Sequence, residues 1–120
     1  MANILLADDD AAVRDLVRRA LAAEGHAVHV TEDGAAALDH LTAHAATIDL
    51  LVTDVDMPQL DGLSLAREAL KLKPQLSIVL MSGFSDQLDR AQALSAKRLV
   101  SISKPFTLEQ IKQLVKLALT

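Results

Sequence analysis

The sequence predicts one doubly wound α/β domain, in which five parallel strands alternate with five helices. Short apolar runs recur along the chain and end abruptly in polar residues, as strands buried on both faces of a sheet do. Between them lie segments with apolar residues at helical spacing. The chain has 120 residues, 51% of them hydrophobic, so it is long enough for one such core and too short for two.

Five runs have the length and composition of strands. In chain order they are expected at residues 3–7, 26–31, 49–53, 76–81 and 99–102. The second run alternates apolar and polar residues, which is typical of an edge strand. The third contains the apolar segment Leu50-Leu51-Val52, and Pro58 prevents the strand from continuing beyond the acids that follow it. A chain of this size favours the flavodoxin-like strand order 2-1-3-4-5 with right-handed crossovers.

A helical segment follows each strand. The helices are expected at residues 11–24, 33–42, 63–71, 86–94 and 108–118. Asp10 is placed to cap the first helix. The fourth has small inward residues, so we expect it to be less firmly held. The last has the clearest start, since Thr107 and Gln110 form a capping box and Phe106 can pack onto Ile111.

The composition excludes several classes of protein. There is no cysteine, so disulfides and thiolate-bound metals are excluded, which fits a reducing cytoplasm. No apolar run approaches the roughly 20 residues of a membrane helix, and no signal peptide opens the chain. The net charge of −4 argues against nonspecific binding to nucleic acid. We therefore expect a cytoplasmic protein that contacts neither membranes nor nucleic acids.

Polar side chains follow four of the five strands at one edge of the predicted sheet. They are Asp8 and Asp9 after the first strand, Asp54 after the third, Ser82 after the fourth and Lys104 after the fifth. Ligands bind at the carboxyl ends of parallel strands, so these groups should line one shallow pocket. Each motif alone is commonly a cap, a turn or a solvated side chain. Their ordered occurrence indicates a functional site.

These residue types together indicate phosphoryl chemistry. Carboxylates that lie close together repel one another, which raises their pKa values unless a cation neutralises them. Mg²⁺ or Mn²⁺ would suit such oxygen ligands. Lys104 could then balance the charge of a phosphoryl group, while Ser82 donates a hydrogen bond to it. Asp54 lies between them as the candidate nucleophile that becomes an acyl phosphate.

Two further clusters are interpreted as surface features. His40 and His44 have the spacing of two metal ligands on one helix face, but no third ligand accompanies them in the sequence. We expect both to be surface histidines. Three arginines near the acidic pocket are expected to form a solvated face or a docking surface; they are Arg14, Arg18 and Arg19.

The motifs together resemble the receiver domain of two-component response regulators, the CheY-like superfamily, across residues 1–120. The matching residues are Asp8-Asp9, Thr53-Asp54, Met57-Pro58 with Asp61-Gly62, Met81-Ser82-Gly83 and Lys104-Pro105-Phe106. The resemblance implies the (βα)₅ receiver fold. It also implies a phosphoacceptor with autodephosphorylation activity rather than a conventional turnover enzyme.

The resemblance assigns roles to individual residues. Asp54 would accept a phosphoryl group from a phosphohistidine on a sensor histidine kinase or a histidine phosphotransfer protein. Mg²⁺ would be held directly by Asp9 and Asp54, through water by Asp8, and by the backbone carbonyl of Asp56. These metal contacts are implied by the family.

Other implied roles concern the response to phosphorylation. Ser82 and Lys104 would contact the phosphoryl group, and the peptide bond that precedes Pro105 would be cis. Asp56 and Phe84 stand at the positions that tune dephosphorylation in the family.

One departure concerns signalling. Ser101 occupies the position where the family usually has an aromatic side chain coupled to the hydroxyl residue, so the usual coupling is not expected here. The Met-Ser-Gly-Phe and Ser-Lys-Pro-Phe segments resemble CpdR-type single-domain regulators, which act in regulated proteolysis, and the receivers of hybrid histidine kinases. We therefore expect a downstream protein partner, such as a protease-adaptor system or a kinase, and no DNA-binding output domain.

Two other interpretations stay open. An aspartyl phosphatase of the haloacid-dehalogenase kind also has Asp-x-Asp after a strand, as Asp54 and Asp56 do, although it follows the first strand there. Sustained turnover of a phosphoester would favour it. A pseudo-receiver would bind partners through an inactive site and would show no Mg²⁺-dependent response to acetyl phosphate.

Overall fold

The computed structural model describes residues 1–83 and 99–120. The strands in this part of the chain are β1 (Asn3–Ala7), β2 (Ala27–Thr31), β3 (Leu50–Asp54), β4 (Ser77–Ser82) and β5 (Leu99–Ser103). The helices are α1 (Ala11–Ala23), α2 (Gly34–His44), α3 (Gly62–Leu72) and α4 (Leu108–Leu119). The helix expected at 86–94 lies outside the described residues.

The strands form one parallel sheet in the order β2-β1-β3-β4-β5. This confirms the predicted flavodoxin-like order. Every residue of β3 is buried, whereas most residues of β2 are exposed, as expected of an edge strand. From β1 the chain moves to β2 on one side and then crosses to β3 on the other side. The strand order therefore reverses between β1 and β3, and this is the switch point of the sheet.

Two apolar layers cover the sheet. Alternate residues of a strand point to opposite faces, so β1 sends Leu5 towards one layer and Ile4 and Leu6 towards the other. The first layer contains side chains of α2 and α3, and the second contains side chains of α1 and α4. The helices thus lie on both faces of the sheet and leave its carboxyl edge accessible.

The helix starts follow the predicted capping chemistry. Asp10 accepts hydrogen bonds from two backbone N–H groups at the start of α1. Thr107 and Gln110 form the expected capping box of α4, and Phe106 packs against the core beside α1 and α4. α2 continues to His44, past its predicted end. None of the described helices is long and apolar enough to cross a membrane.

One close approach positions the end of β3. A Cβ atom at Gly62, the first residue of α3, would lie only 2.1 Å from the carbonyl oxygen of Asp54. The Gly62 N–H group donates a hydrogen bond to the Val55 carbonyl at 2.8 Å. The start of α3 therefore packs directly against the backbone that carries Asp54, and a side chain at residue 62 would separate them.

Candidate functional site

Three carboxylates meet at the carboxyl edge between β1 and β3. The two strands pair with Ala7 beside Thr53, so the next residues, Asp8 and Asp54, emerge together. One oxygen from each of Asp8, Asp9 and Asp54 lies within 4.8 Å of the others. Asp8 is fully buried and Asp54 is 5% exposed, whereas Asp9 is exposed. The structure thus brings together the acids that the strand order predicted to be neighbours.

Lys104 reaches the same pocket from the end of β5. Its Nζ atom lies 3.3 Å from Asp54 Oδ1 and 3.5 Å from Asp8 Oδ2. Its backbone N–H group donates to the Ser82 carbonyl at 2.7 Å, and the Lys104–Pro105 peptide bond is cis, as expected. The sheet therefore presents one cation to two buried carboxylates.

The pocket holds more negative charge than Lys104 balances. Burial, and then the charge of Asp8, raise the pKa of Asp54 to about 6, although Lys104 opposes this. Burial likewise raises the pKa of Asp8. Burial lowers the pKa of Lys104, but its two carboxylate neighbours outweigh that effect and the pKa lies above its usual value. At neutral pH the lysine is charged and Asp54 is ionised.

The donor set fits a hard divalent cation. Asp8 Oδ2 is buried and accepts no hydrogen bond from the residues that the structure describes. Carboxylate oxygens are the ligands that Mg²⁺ and Mn²⁺ prefer, and a second cation would offset the remaining charge. The Asp56 N–H group donates to Asp54 Oδ1 at 3.4 Å, so the loop after β3 folds back over the phosphoacceptor candidate. A metal contact from the Asp56 carbonyl stays a prediction.

Ser82 lies beside this pocket. It ends β4, is fully buried, and follows Met81, which pairs with Asp54 across the sheet. Its contact with a phosphoryl group stays a prediction. Ser101 lies further back on β5 and is exposed. Phe84 lies outside the described residues, so its role in dephosphorylation stays a prediction. The same role of Asp56 also stays a prediction.

One residue of the site was misinterpreted from the sequence. Arg14 is half-buried, and its Nη1 atom donates to the backbone carbonyl of Asp8 at 2.8 Å. It therefore holds the acidic loop and is not part of a solvated face. Arg18 and Arg19 do lie at the surface, where both pair with Asp15. Arg14 begins the second turn of α1, so its side chain can reach back to the loop that precedes the helix.

The fold and the pocket define a class of protein: a parallel α/β domain with an acidic, lysine-containing site at its switch point. Residues 4–116 match the family model of the response regulator receiver domain, and this chain belongs to that family. The structure agrees with this membership, since it has the receiver strand order and the acids at the expected strand ends.

Three relatives illustrate the similarity. Sensor kinase CckA of Brucella abortus is 33% identical over 115 residues, which are 96% of this chain and 12% of the kinase. Response regulator MprA of Mycobacterium avium is 37% identical over 109 residues, which are 91% of this chain and 47% of the regulator. The crystal structure of the receiver domain of hybrid histidine kinase CckA has a TM-score of 0.85 and 30% identity, covering 99% of this chain and all of that one. The chain thus spans less than half of these two full-length relatives.

Proposed function

We propose that residues 1–120 act as a cytoplasmic receiver that is switched by phosphorylation of Asp54. The observation that carries the proposal is the buried Asp54 carboxylate, which lies 3.3 Å from Lys104 Nζ and within 4.8 Å of two further carboxylates. A carboxylate in such a place is costly unless the site neutralises it, so its presence favours chemistry at that position.

The reaction is a direct phosphoryl transfer to an ionised carboxylate. With a pKa of about 6, Asp54 is deprotonated at neutral pH and has a lone pair for attack. One Asp54 oxygen bonds to phosphorus as the phosphorus–nitrogen bond of a phosphohistidine breaks, and the imidazole nitrogen keeps the electron pair. Hydrolysis of the resulting acyl phosphate returns Asp54 to its starting state.

Side chains around Asp54 stabilise the transferred group. Lys104 balances the negative charge of the phosphoryl oxygens, and the hydroxyl of Ser82 donates a hydrogen bond to one of them. Asp8, Asp9 and Asp54 would hold Mg²⁺ or Mn²⁺, with the Asp56 carbonyl as a further ligand. When bound, the cation supplies positive charge that offsets both the carboxylates and the incoming group.

The proposed donor is a sensor histidine kinase or a histidine phosphotransfer protein. The downstream target is a protein, such as a protease-adaptor system or a kinase, whose binding depends on phosphorylation. A second assignment, as the receiver of a hybrid kinase, is favoured by the similarity to CckA. Back-transfer from phosphorylated Asp54 to a histidine phosphotransfer protein would distinguish a relay role of this kind.

The proposal is tested by intact mass spectrometry after incubation with Mg²⁺ and acetyl phosphate. The wild-type chain should gain one phosphoryl group, and Asp54→Asn should gain none. Asp56→Asn is the matched control, because Asp56 is an exposed acid on the same loop and should leave phosphorylation possible. The proposal would be contradicted if Asp54→Asn gained a phosphoryl group, or if the wild-type chain gained none. Sustained phosphoester hydrolysis would favour the aspartyl phosphatase instead.

A further inference from the structure

A cluster of three histidines lies away from the acidic pocket. His29 is on edge strand β2, and His40 and His44 are one turn apart on α2. The rings of His29 and His40 stack with centroids 3.8 Å apart and planes 10° apart, and the centroids of His40 and His44 are 4.5 Å apart. The third imidazole, which the sequence did not place beside the helical pair, comes from the neighbouring strand.

The cluster lines an accessible cavity. The cavity has a volume of about 320 Å³ and includes all three histidines, with Asn3 and Thr47 among its other polar residues. His29 and His44 are exposed and His40 is half-buried. The three side chains can therefore rotate without repacking the core, and an ion can reach them directly from solvent.

We propose that His29, His40 and His44 form a binding site for a divalent transition-metal ion such as Zn²⁺, Ni²⁺ or Cu²⁺. Neutral imidazole is a preferred ligand of these ions, whereas Mg²⁺ prefers oxygen. Two histidines four residues apart on a helix supply adjacent ligands, and one from the strand completes three of the four positions of a tetrahedral Zn²⁺ site. Water would occupy the fourth.

Metal binding requires the stacked rings to separate. A metal lies in the plane of each imidazole that binds it, so two rings stacked face to face cannot share an ion. In the part of the chain that the structure describes, the nitrogens of the three rings do not all lie within 4.8 Å of one another. With Zn–N bonds of about 2.0 Å, two rings on a tetrahedral ion have centroids about 5 Å apart. The His29–His40 centroids must therefore move apart by about 1.2 Å and the His40–His44 centroids by about 0.5 Å. Rotation of the exposed His29 and His44 side chains allows this.

The site would link the edge strand to a helix. A metal held by His29 and His40 connects β2 to α2 across the rim of the sheet, so binding should stabilise the folded chain. The link is chemically independent of Asp54, since the ligands and the preferred ions of the two sites differ. The proposal therefore does not depend on the phosphotransfer function.

The test is titration with ZnCl₂ in excess Mg²⁺, which competes for the carboxylates of the acidic pocket. Calorimetry measures the affinity, and NMR follows the imidazole signals. We expect binding that shifts the signals of His29, His40 and His44. His29→Gln removes a direct ligand and should weaken binding by at least about tenfold, which is the smallest loss typical of removing a residue that only orients a ligand. His26→Gln is the matched control, because His26 is the fourth histidine of the chain and lies outside the cluster.

The outcomes separate this site from simpler binding. Unchanged Zn²⁺ affinity in His29→Gln would overturn the three-ligand site, because it would mean that the helical pair alone binds the ion. Unshifted imidazole signals would overturn it as well. Circular dichroism of His29→Gln without metal should match the wild type, since His29 is exposed and its replacement leaves no cavity.

Discussion

Strands β3 and β5 each lead into a charged residue of the pocket, yet the sheet holds them differently. β3 pairs with β1 and β4, and all five of its residues are buried. β5 pairs with β4 at the edge of the sheet, and none of its residues is fully buried. Asp54 thus ends a buried central strand, whereas Lys104, whose Nζ lies 3.3 Å from Asp54 Oδ1, follows a partly exposed edge strand.

This difference separates the chemistry of the site from the surface around it. The strand that carries the phosphoacceptor candidate is paired on both sides, and the start of α3 packs against the backbone of Asp54 at Gly62. By contrast, Ser101 faces solvent although it belongs to the strand that leads to Lys104. Substitutions that add volume should thus be costly around β3 and tolerated on β5. The following predictions test that comparison and the buried charge at the end of β3.

The largest effect is expected at Gly62. A Cβ there would lie 2.1 Å from the Asp54 carbonyl oxygen. That oxygen is a backbone atom and a Cβ is fixed to its own backbone, so neither can rotate aside and α3 must move away from β3. Gly62→Ala should lower the free energy of unfolding by about 3 kcal/mol or more, measured in urea. Gly83→Ala is the control, because a Cβ at residue 83 meets no described residue within 4 Å. Equal losses in both variants would refute the importance of the contact.

A second prediction concerns the charge at the end of β3. The pKa of Asp54 is about 6 in the folded chain and 3.8 for the free group, so the folded state binds the proton more tightly. Its contribution to stability therefore falls as pH rises from about 4 to about 6 and is constant above that range. Asp54→Asn removes this penalty and should stabilise the chain at neutral pH by about 3 kcal/mol, since each pKa unit corresponds to about 1.4 kcal/mol.

The measurement is urea unfolding of both proteins across this pH range without Mg²⁺. The gain in Asp54→Asn should disappear below about pH 4, where the wild-type carboxyl is protonated in both states. Asp56→Asn serves as control, because it removes an exposed carboxylate from the same loop and should not reproduce the gain of Asp54→Asn. A gain that persists unchanged at low pH would exclude an electrostatic origin.

The fold could be predicted because the sequences of β1, β3 and β4 fit few structures other than buried parallel strands. Apolar runs of this length, ended by acids or by Ser-Gly, fit strands buried on both faces, and their observed bounds differ from expectation by no more than one residue. The end of α2 was less predictable. Residues 43–47 contain no glycine or proline to stop a helix, so its last turn depends on packing rather than on a local signal.

The pocket was partly predictable for the same reason. Topology alone places Asp8 beside Asp54, because β1 and β3 are neighbours in this strand order. Two contacts needed the structure. Arg14 donates to a backbone carbonyl, and such a contact has no sequence signature. His29 stacks on His40 because the register of β2 turns that side chain towards α2, and the sequence does not give the register of an edge strand.

The smallest effect is expected at Ser101, and it tests the comparison most directly. Thr53, Leu80 and Ser101 stand side by side in the register of β3, β4 and β5. Thr53 and Ser101, at the two ends of this row, differ chiefly in burial. Ser101→Tyr should change the free energy of unfolding by no more than about 0.5 kcal/mol and leave phosphorylation of Asp54 intact, because its side chain points into water. Thr53→Tyr, at a position with 0% exposure, should lose several times more by overpacking. If both variants lost a similar free energy of unfolding, the sheet would be equally constrained at β3 and at β5. The distinction between the two strands would then be wrong.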